Sequence, residues 1–559
     1  MKISRTVLDA ITEKINYLYG EHAEAALDAL EKVLDDFTPA DFVRKEPLTQ
    51  QTAYLITYGD AIQETGKVPL KALHDLLKIK VKDSISDVHL LPMFPYTSDD
   101  GFSVTDYEMI NPELGDWSHI EALSKDYRLM FDFVANHMSK SSQWFQNYLD
   151  NVSGFENAFI TFDDTFDSSK TTRPRTTPLF HNYLGKKGFS KKVWTTFSED
   201  QVDVNIKDPK MFGRMTKIIL DYAAKGAASI RLDAIGFLWK ETGTTSMHLE
   251  QTHEIIKIWR LILDEVAPYT QIVTETNVPH SENISYFGKN DEANQVYQFP
   301  LPPLTLFSFT VGNAEKLTDW AKTINRVGEK ETYFNFLASH DGIGMRPTEG
   351  ILTEEEREIL ISKVKTNGGK ISYKNNPDGS QTVYEMNINY SDALRNKGED
   401  DSTAIQKMKA AHSILLSVLG VPAIYYHSLF GSRNDYVGLE SSNINRRINR
   451  EKLNAVNLME ELENNRYRKE IFEGITQMLD LRSEQTAFDP YGNQEILELD
   501  SRVFAVRRKN LETGETILSI TNVSNQVVEL TDIKGTDILK REKILNTLVL
   551  PAYSYAWIK

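Results

Sequence analysis

The sequence contains no cysteine. Disulfides, thiolate metal sites and a cysteine nucleophile are thereby excluded, and the composition fits a reducing compartment. No window is apolar over membrane-spanning length, and the opening "MKISRTVLDAITEKINYLYG" is an amphipathic helical pattern with scattered charges, not an apolar signal core. A cytoplasmic location with no membrane partner is therefore expected. Positive charge is in deficit: 63 Lys and Arg against 80 Asp and Glu leave a formal net charge of −17, which argues against a nucleic-acid partner. A small anionic substrate stays open if Arg and Lys are focused locally. Fixed-period repeats and low-complexity tracts are missing, so solenoids and disordered tails drop out. No group of residues has convincing metal-ligand spacing. "TFDDTFD" around Asp163 and "GEDDS" around Asp400 are expected to be solvated acidic faces, and no metal or cofactor is expected.

What is present is a recurring unit. Short apolar or β-branched runs end in polar residues and are followed by helical stretches: "AYLITYGD" from Ala53, "DVHLLPMF" from Asp87, "RLMFDFVANH" from Arg128, "ASIRLDAIG" from Ala228, "QIVTETNV" from Gln271, "VYQFPLP" from Val296, "YFNFLASHD" from Tyr333 and "VPAIYYH" from Val421. Continuous apolar runs of this length suit strands buried on both faces of a parallel sheet. Eight of them with helices between predict an α/β fold, a (β/α)8 barrel. The 559 residues exceed what one core usually supports, so further parts are expected.

Three spacings break the rhythm. Residues 138–205 are too long for a plain loop and are expected to form an inserted domain after the third strand. Residues 344–395, with the turn signal "NNPDGSQ", form a second insertion after the seventh. The end of the chain, 491–559, alternates apolar and polar residues and is expected to be a small all-β domain. The barrel then comprises 51–137, 206–343 and 396–490, preceded by a helical extension at 1–50.

In such a barrel the reactive groups sit where strands end. Those ends hold "DFVANH" (Asp132, Asn136, His137), "IRLDAIGF" (Arg231, Asp233), "TETN" (Glu275) and "ASHD" (His340, Asp341). Carboxylates from separate strands are costly to bury unless paired. One such residue would be equally well explained as a structural ion pair; the whole set at eight-strand spacing would not. Glycosyl transfer with retention needs this cluster: one carboxylate attacks the anomeric carbon and a second, roughly 5 Å away, protonates the leaving oxygen. Arg231 beside Asp233 is expected to hold the nucleophile charged by proximity. Glu275 is expected among groups that keep it protonated.

The four strand-end segments, in order, resemble the four short motifs of the α-amylase family of glycoside hydrolases, and "QVDVN" from Gln201 resembles its auxiliary motif. The resemblance implies that Asp233 is the nucleophile, Glu275 the acid/base and Asp341 the transition-state stabiliser, with Arg231, His137 and His340 on the glucosyl ring. "LITYGD", "VHLLPMFPYTSDDGFSVTDY", "ASHDGIG" and "NRRINR" are similar to the sucrose phosphorylase subfamily, which moves an α-glucosyl unit reversibly between an acceptor and inorganic phosphate. That likeness implies that Asp100 and Arg446 pair to close the glucose pocket, that Phe102 is a hydrophobic platform, that Gln201 lies at the acid/base, and that Arg175 of "RPR" grips phosphate.

Within the subfamily the chain departs from sucrose phosphorylases. "VYEMN" puts Tyr384 and Glu385 where those carry "YQ". The N-terminal extension, "GFLWKETGT", "TETNVPH" and "GIGMRP" are more similar to glucosylglycerate phosphorylases. The small-molecule partners implied are an α-glucoside, phosphate and D-glycerate, whose carboxylate would want a cation: Arg346, with Arg175 shared. Against this, Arg346 could be tied to Glu349 or Glu385, and an unneutralised Glu385 would favour a neutral polyol. Glycerol, fructose and fructose 6-phosphate thus stay open as acceptors, as do hydrolysis and transglucosylation without phosphate; intact Asp233, Glu275 and Asp341 argue against a noncatalytic sugar-binding homologue, and the chain is expected as a monomer or homodimer.

Overall fold

The eight apolar runs become eight parallel strands that close into one barrel: β1 (Tyr54–Thr57), β2 (Asp87–Leu90), β3 (Arg128–Val134), β4 (Ala227–Asp233), β5 (Gln271–Thr274), β6 (Gln295–Tyr297), β7 (Thr332–Phe336) and β8 (Val421–Tyr425). Neighbours in sequence are neighbours in the barrel, and β8 returns to β1 through Tyr54–Ala423, Leu55–Ile424 and Ile56–Tyr425. Every residue of β3 and β4 is buried, as strands packed inside and outside require. The chain is described here from a computed structural model covering residues 3–40, 46–376 and 378–559. Residues 41–45 of the expected helical extension, with Met1 and Lys2, and Pro377 of the "NNPDGSQ" turn lie outside the described residues.

Two helices precede the barrel, α1 (Arg5–Tyr19) and α2 (Ala23–Asp36). Their buried faces, Ile11, Ile15 and Tyr19 on one and Ala26, Leu30 and Leu34 on the other, have helical spacing. α2 lies against the barrel helix Pro209–Ala224 at Gly213, where a Cβ would stand 2.9 Å from that of Ala29. Glycine is what lets these two helices approach.

The segment after β3 is closed at its base by an antiparallel pairing of His137–Ser139 with Gln201–Asp203, which sets His137 opposite Asp203. Buried Lys240 locks the base, its Nζ 2.8 Å from Asp203 Oδ2 and 2.6 Å from Asn136 Oδ1. Between these strands stand the helix Gln143–Leu149 and the hairpin Phe180–Leu184/Ser190–Trp194. After β7 come the helix Glu354–Thr366 and a three-stranded sheet in which Gln381–Asn387 is central. The C-terminal part is all β: a six-stranded sheet from Asn493 to Ile558 packs on a two-stranded one around Val503, Ala505, Ile520, Val528 and Leu550. Trp557 ties it to the barrel, donating to Ser413 Oγ at 3.0 Å. No helix among the described residues is long and apolar enough to cross a membrane.

Candidate active site

Register and pleat build the centre of the site. Arg231 and Asp233 lie two residues apart on β4, so their side chains share a face, and the β3–β4 register sets Arg231 beside Asp132. The guanidinium is 1% exposed and acts as a hub. Its Nη1 donates to Asp132 Oδ1 and Oδ2 at 2.8 and 3.0 Å and to Asp233 Oδ1 at 2.8 Å; Nε donates to the Tyr297 hydroxyl at 3.1 Å. Nη2 stands 3.7 Å from Glu275 Oε2. His89 on β2 closes the network, its Nε2 3.0 Å from Asp132 Oδ2.

This corrects the sequence reading of Arg231. The expectation was that it would hold Asp233 below its ordinary pKa. Burial instead pushes the Asp233 carboxyl well up, against the pull of Arg231, and Glu275, Asp132 and Asp341 push the same way. Burial is the largest cause; Arg231 does pull Asp233 down as expected, but it is outweighed, and it is shared with buried Asp132, which takes two of the guanidinium's contacts. Glu275 is also raised by burial, opposed by Arg231 and reinforced by Asp341. The strand turns sharply after Asp233: Ala234 is left-handed (φ 49°, ψ 31°), and its N–H points to Glu275 Oε2 at 3.0 Å. One turn therefore aims both carboxylates. Asp341 differs. Burial would push it up, but Arg446 at 2.7 Å, with Arg450 and Arg231 behind, holds it below the usual carboxylate range.

His137 and Gln201, far apart in sequence, meet at the base of the first insertion. His137 Nε2 lies 3.0 Å and Gln201 Nε2 3.1 Å from the Phe102 carbonyl oxygen. The Phe102 ring stacks on His340 at 4.8 Å with planes 2° apart. Burial pushes the His137 imidazole down to about 4, and burial together with Arg231, Arg450 and Arg446 holds His340 well below its ordinary value. Both rings are therefore neutral at physiological pH, able to hydrogen-bond without adding charge.

The expected closure of the pocket by Asp100 and Arg446 does not form. Asp100 turns to Arg450 (2.8 Å) and Arg447 (3.0 Å), and Asp99 lines the pocket, 3.4 Å from both Arg450 Nη1 and Gln201 Nε2. Two consecutive left-handed residues, Asp99 (φ 54°) and Asp100 (φ 48°), set this exchange, and Gly101 presses on Pro92, where a Cβ would be 2.7 Å from the carbonyl oxygen. Arg446 is committed elsewhere, to Asp341 and, through two bonds of 2.8 and 3.0 Å, to Glu385. Arg450, fully buried, was missed in the sequence. Its only signal is a position four residues after Arg446 in "NRRINR".

At the mouth stand two arginines without carboxylate partners among the described residues. Arg175 lies over the rings of Tyr384 (4.9 Å) and Phe197 (5.5 Å), donating to the Pro174 carbonyl at 3.2 Å. Arg346 also lines the pocket, and its Nε is buried without a partner. Neither Glu349 nor Glu385 ties it down, and Glu385 is already neutralised by Arg446. The pocket thus holds four carboxylates, Asp233, Glu275 and Asp341 at its floor and Asp99 on a wall, with neutral imidazoles and an aromatic ring beside them and unpaired guanidinium at its rim.

The chain matches the family model of the alpha amylase catalytic domain over residues 83–485. It is 45% identical over 527 residues to the glucosylglycerate phosphorylase of Spirochaeta thermophila, covering 93% of this chain and 89% of that protein. Identity to the glucosylglycerate phosphorylase of Escherichia coli is 41% over 559 residues, covering 98% of this chain and 99% of that one. Among solved structures, the sucrose 6F-phosphate phosphorylase from Thermoanaerobacter thermosaccharolyticum has the same fold, with a TM-score of 0.73 at 24% identity over 86% of this chain and 95% of that chain.

Proposed function

The chain belongs to the α-amylase family, and from that premise we propose that it is a retaining α-glucoside phosphorylase, interconverting 2-O-α-glucosyl-D-glycerate and phosphate with α-D-glucose 1-phosphate and D-glycerate. The observation that carries this reading is the pair Arg175 and Arg346, unpaired guanidinium groups facing a floor of three carboxylates. A hydrolase has no use for an anion site there; a phosphorylase needs one for phosphate, and an acidic acceptor uses it again.

In the first half-reaction Glu275 gives its proton to the glycosidic oxygen as Asp233 attacks the anomeric carbon, releasing D-glycerate and leaving a β-glucosyl ester on Asp233. Asp341, kept anionic by Arg446 and Arg450, stabilises the cationic transition state. Phosphate then attacks the same carbon from the face the acceptor left, the ester bond breaks, and Glu275 recovers the proton. His137, Gln201, His340 and Phe102 line the pocket that takes the glucosyl ring, whereas Arg231, expected on that ring, is buried behind it and acts through Asp132 and Asp233. Asp99 takes the place expected of Asp100, which instead fixes Arg450. A cytoplasmic setting fits a reaction that draws on free phosphate and a sugar phosphate.

The test is phosphate release from α-glucose 1-phosphate with D-glycerate, glycerol, fructose, fructose 6-phosphate or water as sole acceptor. D-Glycerate is expected to be preferred, and Arg346→Ala to raise its KM roughly tenfold while leaving glycerol little changed, about the value of one charge-assisted contact. Equal rates with water alone would overturn the reading.

The carboxylates also predict a pH profile. Asp233 must be ionised and Glu275 protonated, so the active form carries one proton on the pair. Rate is lost on the acid side as Asp233 gains a proton and on the basic side as Glu275 loses its own. Because burial raises both carboxyls, the acid limb is expected above the ordinary aspartate value of about 3.9 and the basic limb above the ordinary glutamate value of about 4.3. With α-glucosyl fluoride, whose leaving group needs little protonation, the basic limb should fade and the acid limb stay. A profile identical for both donors would remove Glu275 as the acid.

A further inference from the structure

Outside the carboxylate-lined pocket lies a second and wider cavity, about 540 Å³ against about 70 Å³ for the inner one. Its walls come mostly from the two insertions, residues 168–174 with 179 and 180 of the first and 346 with 374–376 of the second, and Thr245 completes them. They meet where Asn375 Nδ2 donates to the Thr176 carbonyl at 3.3 Å. Four cations line it, Lys170, Arg173, Arg346 and Lys374, and among the described residues no carboxylate does. In a chain with a formal net charge of −17 this is a local inversion of sign.

The four cations make no close ion pairs among the described residues, and Asp167, Glu282 and Glu349 act on Lys170, Arg346 and Lys374 from further off. Lys374 reaches only Asn376 Oδ1 at 3.2 Å, and Arg173 donates to the Thr177 carbonyl. Two polar atoms are buried with no hydrogen-bond partner: Arg346 Nε and the hydroxyl of Thr171, a residue 7% exposed. Burial, Arg346 and Arg357 all depress the Lys374 ammonium, with Glu349 opposing them, so a ligand of negative charge would relieve the site. Arg346 and Pro174 line both cavities, so this guanidinium stands in the doorway between them.

We propose that the outer cavity is a binding site for small oxyanions, inorganic phosphate foremost, which loads phosphate past Arg346 into the inner pocket. This rests on the phosphorylase reading. Its logic is that phosphate must approach an acidic protein and three carboxylates, and a concave cluster of unpaired cations raises its local concentration. A neutral glucosyl group gains nothing from such a lining.

The experiment uses the intact enzyme and α-glucosyl fluoride, an uncharged donor, with phosphate varied and glucose 1-phosphate measured. Lys170→Gln/Lys374→Gln is expected to raise the KM for phosphate roughly tenfold, with kcat and the hydrolysis of the fluoride unchanged. Lys170→Arg/Lys374→Arg should restore the wild-type value, and added salt should flatten the difference. As a control, Lys186→Gln/Lys187→Gln removes two charges from the exposed turn of the first insertion and should leave KM alone. Equal KM in the first variant and wild type, or an equal rise in the control, would overturn the outer site. If wild type formed no glucose 1-phosphate from the fluoride at any phosphate concentration, the phosphorylase reading itself would fall.

Discussion

Asp233→Asn is expected to lower the rate of glucose 1-phosphate formation by at least about 10⁴-fold while the protein stays folded. The size follows from the role proposed for Asp233. An amide cannot form the glucosyl ester, and no other carboxylate can replace it: Glu275 is held by the Ala234 N–H, and Asp341 by Arg446. The fold survives because Arg231 keeps its contacts with Asp132 and Tyr297, so no buried charge is stranded. Initial rates measured beside far-UV circular dichroism and thermal midpoints check both halves. Activity within a factor of ten of wild type would remove Asp233 as the nucleophile.

Arg231→Met is expected to have the other large effect, on stability as much as on rate. The side chain fits the space, but its loss leaves Asp132 buried with only His89, and Asp233 and Glu275 facing one another without a cation. Breaking a buried pair from one side costs about 3–5 kcal/mol. A lowered thermal midpoint and loss of glucosyl transfer are therefore expected together. Adding Asp132→Asn to the same chain should recover part of the midpoint and none of the activity, because it removes the stranded charge and leaves Asp233 without its cation. An unchanged midpoint in the single variant would show that Asp132 does not depend on Arg231.

The barrel was legible because strands covered on both faces must be apolar end to end, a pattern that survives insertions between them. The convergence of Asp233, Glu275 and Asp341 on one pocket follows from their placing at strand ends, and that too is written in the chain. What could not be read was choice among neighbours. Whether Asp99 or Asp100 turns inward depends on two left-handed residues, and whether Arg446, Arg447 or Arg450 meets them depends on a short 3₁₀ turn, Asn445–Asn449. The dominant partner of Arg231 was equally hidden: Asp132 comes opposite it only through the β3–β4 register and the irregularity at Leu129 and Met130. Local spacing carried the elements, and long-range register carried the pairings.

Arg446 grips Asp341 with one nitrogen and Glu385 with two others, so the central strand of the second insertion is tethered to a carboxylate of the pocket floor. The two halves of the enzyme are in that sense not modular. A second insertion grafted from another relative would bring its own residue to position 385. Unless that residue is acidic, Arg446 is freed to lean wholly on Asp341 and hold it ionised more firmly. Substrate choice and catalytic rate would then have to evolve as one trait, inherited through a single shared guanidinium.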